Sequence, residues 1–201
     1  MVLSLFDRSG HIRDSFINAG YTAISLDINP GYNGSKVDIV TDILFWDYRA
    51  YNQNHFNFIT IALPCQCYSI ASGGKHFRGG KIRSSQAVTA INILITVYQI
   101  TQYFGCNFII ENPSGGLINN PFFKSFFNLN VTRLTLSNFG FPTQKKTDLF
   151  YNFNMLLMVP ITYRCNGRYA SQKLDNLSYN KRVTYPIAFC EWLVECVSEH
   201  L

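Results

Sequence analysis

Five short apolar runs, each stopping on polar or charged residues, constrain this chain more than anything else in its sequence. VLSLF (2–6) gives way to DRSG, YTAISLDI reaches Asp27, and KVDIVTDI contains Asp42. FNFITIAL (56–63) meets Pro64-Cys65, and CNFIIEN reaches Glu111-Asn112. Apolar runs this short, bounded by turn residues, are strands rather than helices. FNFITIAL is continuous enough to be buried on both faces. Helical periodicity fills the gaps. In HIRDSFINAG, residues Ile12, Phe16 and Ala19 share one face and Gly20 ends it. A long helix is expected over about Ser84 to Gln102, a short one in PFFKSFF, and a closing one in PIAFCEWLVECVSEHL with Pro186 at its start. VTRLTLSNFG and TDLFYNFN read as two further strands. Alternating strands and helices predict an α/β fold, a mainly parallel sheet with helices on both faces.

The 201 residues suffice for one domain with a sizeable core, and the expectation is a single domain over 1–201. Residues 151–182 are a possible small accessory segment, since 160–182 show no clear period. With 47% hydrophobic and 14% charged residues, the chain is globular rather than disordered. No apolar stretch reaches the about 18 residues of a membrane helix, and MVLSLFDRSG lacks the basic flank and long apolar core of a secretory signal. An intracellular protein without a membrane partner is expected. The formal charge of +5 is compatible both with a polyanionic partner and with an ordinary basic surface. Cysteines at 65, 67, 106, 165, 190 and 196 form no C-x-x-C pair and no zinc spacing, so no metal is expected and most thiols should be reduced and buried.

Ligands of open α/β sheets bind outside the C-terminal ends of the strands, and the chemistry-bearing residues collect there. Asp27 stands where nucleotide-binding folds place an acid against ribose hydroxyls. The turn after the first strand offers Gly10 rather than G-x-G-x-x-G, which disfavours a pyrophosphate cradle and favours a nucleoside such as S-adenosylmethionine. Asp42 could then receive the adenine amino group, although both acids could equally be ordinary loop residues. Cys65, stiffened by Pro64 and followed by a small, polar segment, reads either as an accessible nucleophile or as a packed thiol. Glu111, one strand over, could serve as its proton donor. GGKHFRGGKIR supplies Lys75, His76, Arg78, Lys81 and Arg83 among glycines, which suits a flexible loop contacting phosphates.

Taken in order, these segments resemble the cytosine-specific DNA methyltransferases that act at ring carbon 5, most of all the small versions of phages and other viruses. VLSLFDRSGHIRDSFINAGY resembles the opening strand and cofactor turn of that family, and SLDINPGYNGSKVDIVTDILFWDY the stretch with the ribose and adenine acids. LPCQCYSIASGGK resembles its Pro-Cys motif, FIIENPSGGL its Glu-Asn motif, NFGFPTQKKTDLFYN its basic strand region, and RVTYPIAFCEWL its closing helix. The resemblance runs nearly end to end and implies a Rossmann-like S-adenosylmethionine-dependent methyltransferase fold. It implies that Cys65 attacks carbon 6 of a flipped-out cytosine, that Glu111 holds and protonates ring nitrogen 3, and that Asn112 and Pro64 shape the pocket. Lys145 stands where relatives have an Arg on the base, with Lys146 beside it. Phe6, Asp7, Gly10, Asp27, Ile28, Asp42 and Ile43 would form the cofactor site. The implied partner is double-stranded DNA, in the cytoplasm of an infected host cell or wherever that DNA lies.

The chain departs from the pattern at several points. Arg8 and His11 replace frequent glycines, Leu63 replaces the first Pro of the usual pair, and Lys145-Lys146-Thr147 replace an Arg pair. No long recognition insert is present, leaving 151–182 as a minimal target-recognition segment, which implies low specificity, a very short site, or a specificity partner protein. Two other readings compete: a catalytically impaired relative that binds nucleic acid or protein, and an RNA cytosine-5 methyltransferase.

Overall fold

The computed structural model describes residues 1–31, 34–154, 178 and 184–201. Strands β1 (Val2–Leu5), β2 (Ala23–Asp27), β3 (Ile39–Val40) and β4 (Phe58–Ala62) follow the apolar runs. They are joined by β7 (Asn107–Pro113), β8 (Asn130–Thr135) and β9 (Lys146–Tyr151) in a seven-stranded sheet of order β3-β2-β1-β4-β7-β9-β8. The pairings from β3 to β7 are parallel, and β9 and β8 add antiparallel to that edge. The chain builds outward from β1 through β2 to β3, then returns to start β4 on the other side of β1. The strand order therefore reverses between β1 and β4, and the crevice beyond their C-terminal ends is where such sheets take ligands.

Helices α1 (His11–Asn18) and α4 (Ile187–Val197) cover one face, and α2 (Ser85–Phe104) and α3 (Pro121–Phe126) the other. Side chains alternate along the strands as the pleat requires. Val2 and Phe58 pack with Phe16 and Phe189 on the α1/α4 side, while Leu3, Leu5, Ile59 and Ile61 pack with Leu94, Val97 and Ile100 on the other. Each fully buried side chain of this size stabilises the fold by about 1.5–3 kcal/mol. The helix ends follow from local chemistry. Ser84 Oγ accepts from Ala87 N at 3.1 Å to start α2, and Gly105, with φ of 62°, ends it. Asn120 Oδ1 accepts from Phe122 N and Phe123 N, with Pro121 at the first helical position of α3.

Two expectations change. The third strand is only two residues long, because Asp42 already belongs to the following turn, where its Oδ1 accepts from Leu44 N. The glycine-rich basic segment is a hairpin, β5 (Phe77–Arg78) and β6 (Lys81–Ile82), rather than an unstructured loop. Its turn residues Gly79 and Gly80 both have positive φ, which a two-residue hairpin turn of this hand demands. Among the described residues, no helix is long and apolar enough to cross a membrane.

Candidate active site

The turn after β1 is held by a buried polar network. Phe6 takes a φ of 62°, a strained value for a residue with a side chain, while its N–H donates to Leu26 O. Gly10, φ 70°, leads into α1 without a side-chain cap of its own. Asp7 supplies that cap from upstream. Its Oδ2 accepts from the backbone N–H of Arg13 at 2.8 Å and from Ser4 Oγ at 3.0 Å, and its Oδ1 from Ser9 Oγ at 3.3 Å. Burial raises the pKa of the Asp7 carboxyl, although these donors and the Arg13 charge pull it down. Ser4 continues a row of hydroxyls across three strands, in register with Ser25 on β2 and Thr60 on β4, and accepts from Thr60 Oγ1 at 2.9 Å. Arg13 crosses this network to Ser25 Oγ, the Lys36 carbonyl and Asp38, tying the turn to the loop before β3.

The second half of the site lies beyond β4. Parallel pairing sets Ala62 opposite Glu111 of β7, so Cys65, three residues on, follows the strand beside that acid. Asn112 Nδ2 donates to Leu63 O at 2.9 Å and fixes the backbone immediately before Pro64. The Cys65 carbonyl then accepts from Tyr68 N and Ser69 N, so the chain coils into a turn at the thiol. Tyr68 anchors that turn. Its hydroxyl donates to Ala90 O on α2 at 2.9 Å, its ring stacks on Phe77, and its carbonyl accepts from Gly116 N. Gly116 is required there, since a Cβ would lie 2.2 Å from the Tyr68 oxygen.

Cys65 is partly buried rather than freely accessible as its polar neighbours suggested. Burial raises its pKa, the Glu111 charge raises it further, and the Lys145 charge opposes both. The thiol thus answers to one acid and one base from separate segments. Four buried polar atoms nearby in the sequence of these segments, Glu111 Oε1, Asn112 Oδ1, Thr143 Oγ1 and Thr147 Oγ1, have no hydrogen-bond partner. Buried polar atoms are normally paired. Glu111 and Asn112 are consecutive on β7, so their unpartnered oxygens lie on opposite faces of the sheet.

The remaining predicted residues fall as follows. Asp27 is buried at the end of β2 and its Oδ1 accepts from Asn29 N and Asn29 Nδ2. Ile28 beside it is 62% exposed, an apolar side chain open to a ligand, and Asp42 is half-buried. Ile43 is buried in the core on the α2 side, so it shapes that wall from beneath. Lys75, Arg78, Lys81 and Arg83 are exposed around the hairpin, and Lys146 is exposed at the start of β9. His76 departs from expectation. It is buried and its Nδ1 lies 2.8 Å from Ser84 Oγ, so it braces the start of α2 rather than reaching toward phosphate. An open cleft of about 590 Å³ runs between the Cys67–Gly74 turn, the hairpin and the Gly115–Pro121 loop, alongside the site. The 155–177 and 179–182 portions of the proposed recognition segment lie outside the described residues. Among the described residues, no group of His, Cys, Asp and Glu could hold a metal ion.

One site residue was missed in the sequence. Tyr185, just before α4, is buried and its hydroxyl donates to Glu111 Oε2. Only the position of this tyrosine beside Pro186 hinted at it, since Glu111 lies 74 residues away.

No family model matches the sequence, and neither does any curated protein. Solved structures do match. The chain is similar to the Entamoeba histolytica methyltransferase EhMeth (TM-score 0.54, 17% identity, covering 75% of this chain and 51% of that one). It is similar to the S. pombe Dnmt2 methyltransferase (TM-score 0.51, 16% identity, 76% and 51%). A candidate DNA modification methyltransferase encoded within an E. coli prophage gives 0.54, 15%, 75% and 45%. The chain spans about half the length of these proteins. The sheet order, the helices on both faces and these likenesses establish that it has the Rossmann-like fold of S-adenosylmethionine-dependent methyltransferases.

Proposed function

We propose that this chain is a DNA cytosine-5 methyltransferase, of the kind found in phages and other viruses, that works through a covalent Cys65 adduct. The observation that carries the proposal is the register of β4 and β7, which sets Ala62, three residues before Cys65, opposite Glu111, with Asn112 holding the Leu63 carbonyl in between. A thiol and a carboxyl on adjacent strand ends are what addition to a pyrimidine requires. The names of the similar structures, methyltransferases of which one is described as acting in DNA modification, support the same reading.

The residues present fit S-adenosylmethionine. Asp27 offers a buried carboxylate for a ribose diol, Ile28 an exposed apolar surface for a base, and the Phe6–Gly10 turn the wall of a crevice at the reversal of strand order. Asp42 stands within reach of the same strand ends for the adenine amino group, and Ile43 supports it from the core. Asp7 acts on this site by fixing the turn. When bound, the cofactor supplies an electrophilic methyl group on a sulfonium.

The protein's part begins with positioning. Exposed Arg78, Lys81, Arg83, Lys75 and Lys146 hold phosphates, and the target cytosine leaves the stack to reach the site. Cys65 Sγ, as thiolate, forms a bond to carbon 6. Glu111 delivers a proton to nitrogen 3, which takes up the electron pair displaced from the ring and leaves carbon 5 electron-rich. After carbon 5 gains the methyl group, its proton passes to a solvent base, the electrons of that C–H bond form the 5,6 double bond, the carbon 6–sulfur bond breaks to return the thiolate, and nitrogen 3 gives its proton back to Glu111. Lys145, whose charge favours the thiolate, is placed to assist the first step and the last.

The test is product identity. Incubation with methyl-labelled S-adenosylmethionine and duplex DNA, followed by digestion to nucleosides, should give labelled 5-methyldeoxycytidine that Cys65→Ala abolishes. Label found only in single-stranded RNA would move the substrate to RNA. Label in N4-methylcytosine or adenine would overturn the mechanism.

A further inference from the structure

Resting on that reading, we propose that Tyr185 is the positioning residue for Glu111 and that it ties the acid to the turn that opens α1. The two oxygens of Glu111 have different surroundings. Oε2 accepts from the Tyr185 hydroxyl, while Oε1 is buried without a partner. A carboxylate with one oxygen occupied presents the other in a fixed direction, because rotation would break the existing bond. Tyr185 therefore selects Oε1 as the oxygen offered to the base.

The same residue faces the cofactor side through its backbone. His11 Nδ1 lies 2.8 Å from Tyr185 O. A carbonyl oxygen can only accept, so Nδ1 carries the hydrogen. His11 is the first residue of α1, directly after Gly10, and occupies one of the positions where the sequence departs from the glycine-rich turn of the family it resembles. The departure thus has a structural partner. The histidine fastens the start of α1 to the segment that holds the catalytic acid. Tyr185 itself is fixed by Phe189 one turn on, with ring centroids 5.5 Å apart, and by the Lys145 ammonium 5.5 Å over its ring. Two features of the site, the turn residue His11 and the acid Glu111, therefore meet on one residue, on its carbonyl and its side chain.

The decisive variant is Tyr185→Phe, which keeps the ring packing and removes only the hydroxyl. Loss of one hydrogen bond to a charged group lowers kcat by about 10- to 100-fold, while KM for S-adenosylmethionine stays at its wild-type value and the melting temperature falls by only a few degrees. A His11→Ala variant weakens cofactor KM with kcat less affected, the opposite split. A Tyr185→Phe protein with wild-type kcat, or one whose KM for S-adenosylmethionine rises as far as its kcat falls, would overturn the inference. A second readout needs no turnover. The Tyr185 hydroxyl proton should give a downfield, slowly exchanging NMR signal in the unliganded protein that is lost in both Tyr185→Phe and Glu111→Ala. If the wild-type protein transfers no methyl group to any nucleic acid, the functional reading falls. The NMR signal still decides the bond, and its absence would sink the positioning role by itself.

Discussion

The turn after β1 and the segment after β4 do related work by opposite means. The first, residues 4 to 14, is knitted through its interior. Ser4, Asp7, Ser9 and Arg13 are all buried and bonded to one another or to the next strand, and Phe6 is held at a positive φ within that frame. The second, residues 66 to 83, is fastened mostly from outside itself, Tyr68 to α2 and Gly116, Cys67 to Gln86 O, Phe77 onto Tyr68 and Phe122, and His76 to Ser84, with Ile70 77% exposed between them. A crevice for a small molecule needs preformed walls. The hairpin segment instead presents four exposed cations, Lys75, Arg78, Lys81 and Arg83, the charge that duplex DNA would meet under the proposed function.

Asp7→Ala should have the largest effect on folding. It strips an acceptor from Ser4, Ser9 and the Arg13 amide together, and should lower stability by roughly 3 kcal/mol in denaturant titration, with cofactor affinity falling in parallel. An effect below about 0.5 kcal/mol, the level of ordinary surface changes, would remove the contrast. Gly116→Ala comes next. A Cβ against the Tyr68 carbonyl forces the two loops apart, costing about 2 kcal/mol, and should reduce methyl transfer more than cofactor binding.

The thiol offers a finer test by alkylation of Cys65 followed at the peptide level. Burial and Glu111 both disfavour the thiolate, so modification should keep accelerating above pH 8.5, about where an ordinary thiol is half ionised. Glu111→Gln removes a like charge and should move that rise to lower pH, whereas Lys145→Gln removes the opposing cation and should move it higher. Opposite shifts, or none, would show that the two groups do not face the thiol. The smallest effect on stability belongs to Arg78→Ala and Lys81→Ala, within about 0.5 kcal/mol, yet each should reduce the slope of log affinity against log salt for duplex DNA by about 1.

The strands were legible because apolar runs in a covered parallel sheet need no alternation and stop where the chemistry starts. VLSLF, FNFITIAL and CNFIIEN become β1, β4 and β7, with Ala62, three residues before Cys65, opposite Glu111. The serines and threonine inside those runs, Ser4, Ser25 and Thr60, were the overlooked signal for the buried network, since a hydroxyl in an apolar strand must find a partner. The hairpin could also have been read, as Gly79-Gly80 is a two-residue turn signal, but flanking strands of two residues have no period to recognise. Tyr185 had no local signature beyond its place before Pro186. Its role exists only once α4 packs on the sheet and brings the residue before it to Glu111. His76 misled for a related reason, because composition does not distinguish a basic residue facing solvent from one turned inward to brace the residue that caps a helix.

The covalent bond between Cys65 and cytosine can be trapped. A duplex carrying 5-fluorocytosine, incubated with the protein and labelled S-adenosylmethionine, cannot lose fluorine from carbon 5 as it would lose a proton, so a true Cys65 adduct stays bound. The account predicts a labelled protein–DNA complex that survives denaturation, maps to the Cys65 peptide, and is missing in Cys65→Ser. Methyl transfer to cytosine with no such complex, or a complex that persists in Cys65→Ser, would contradict it.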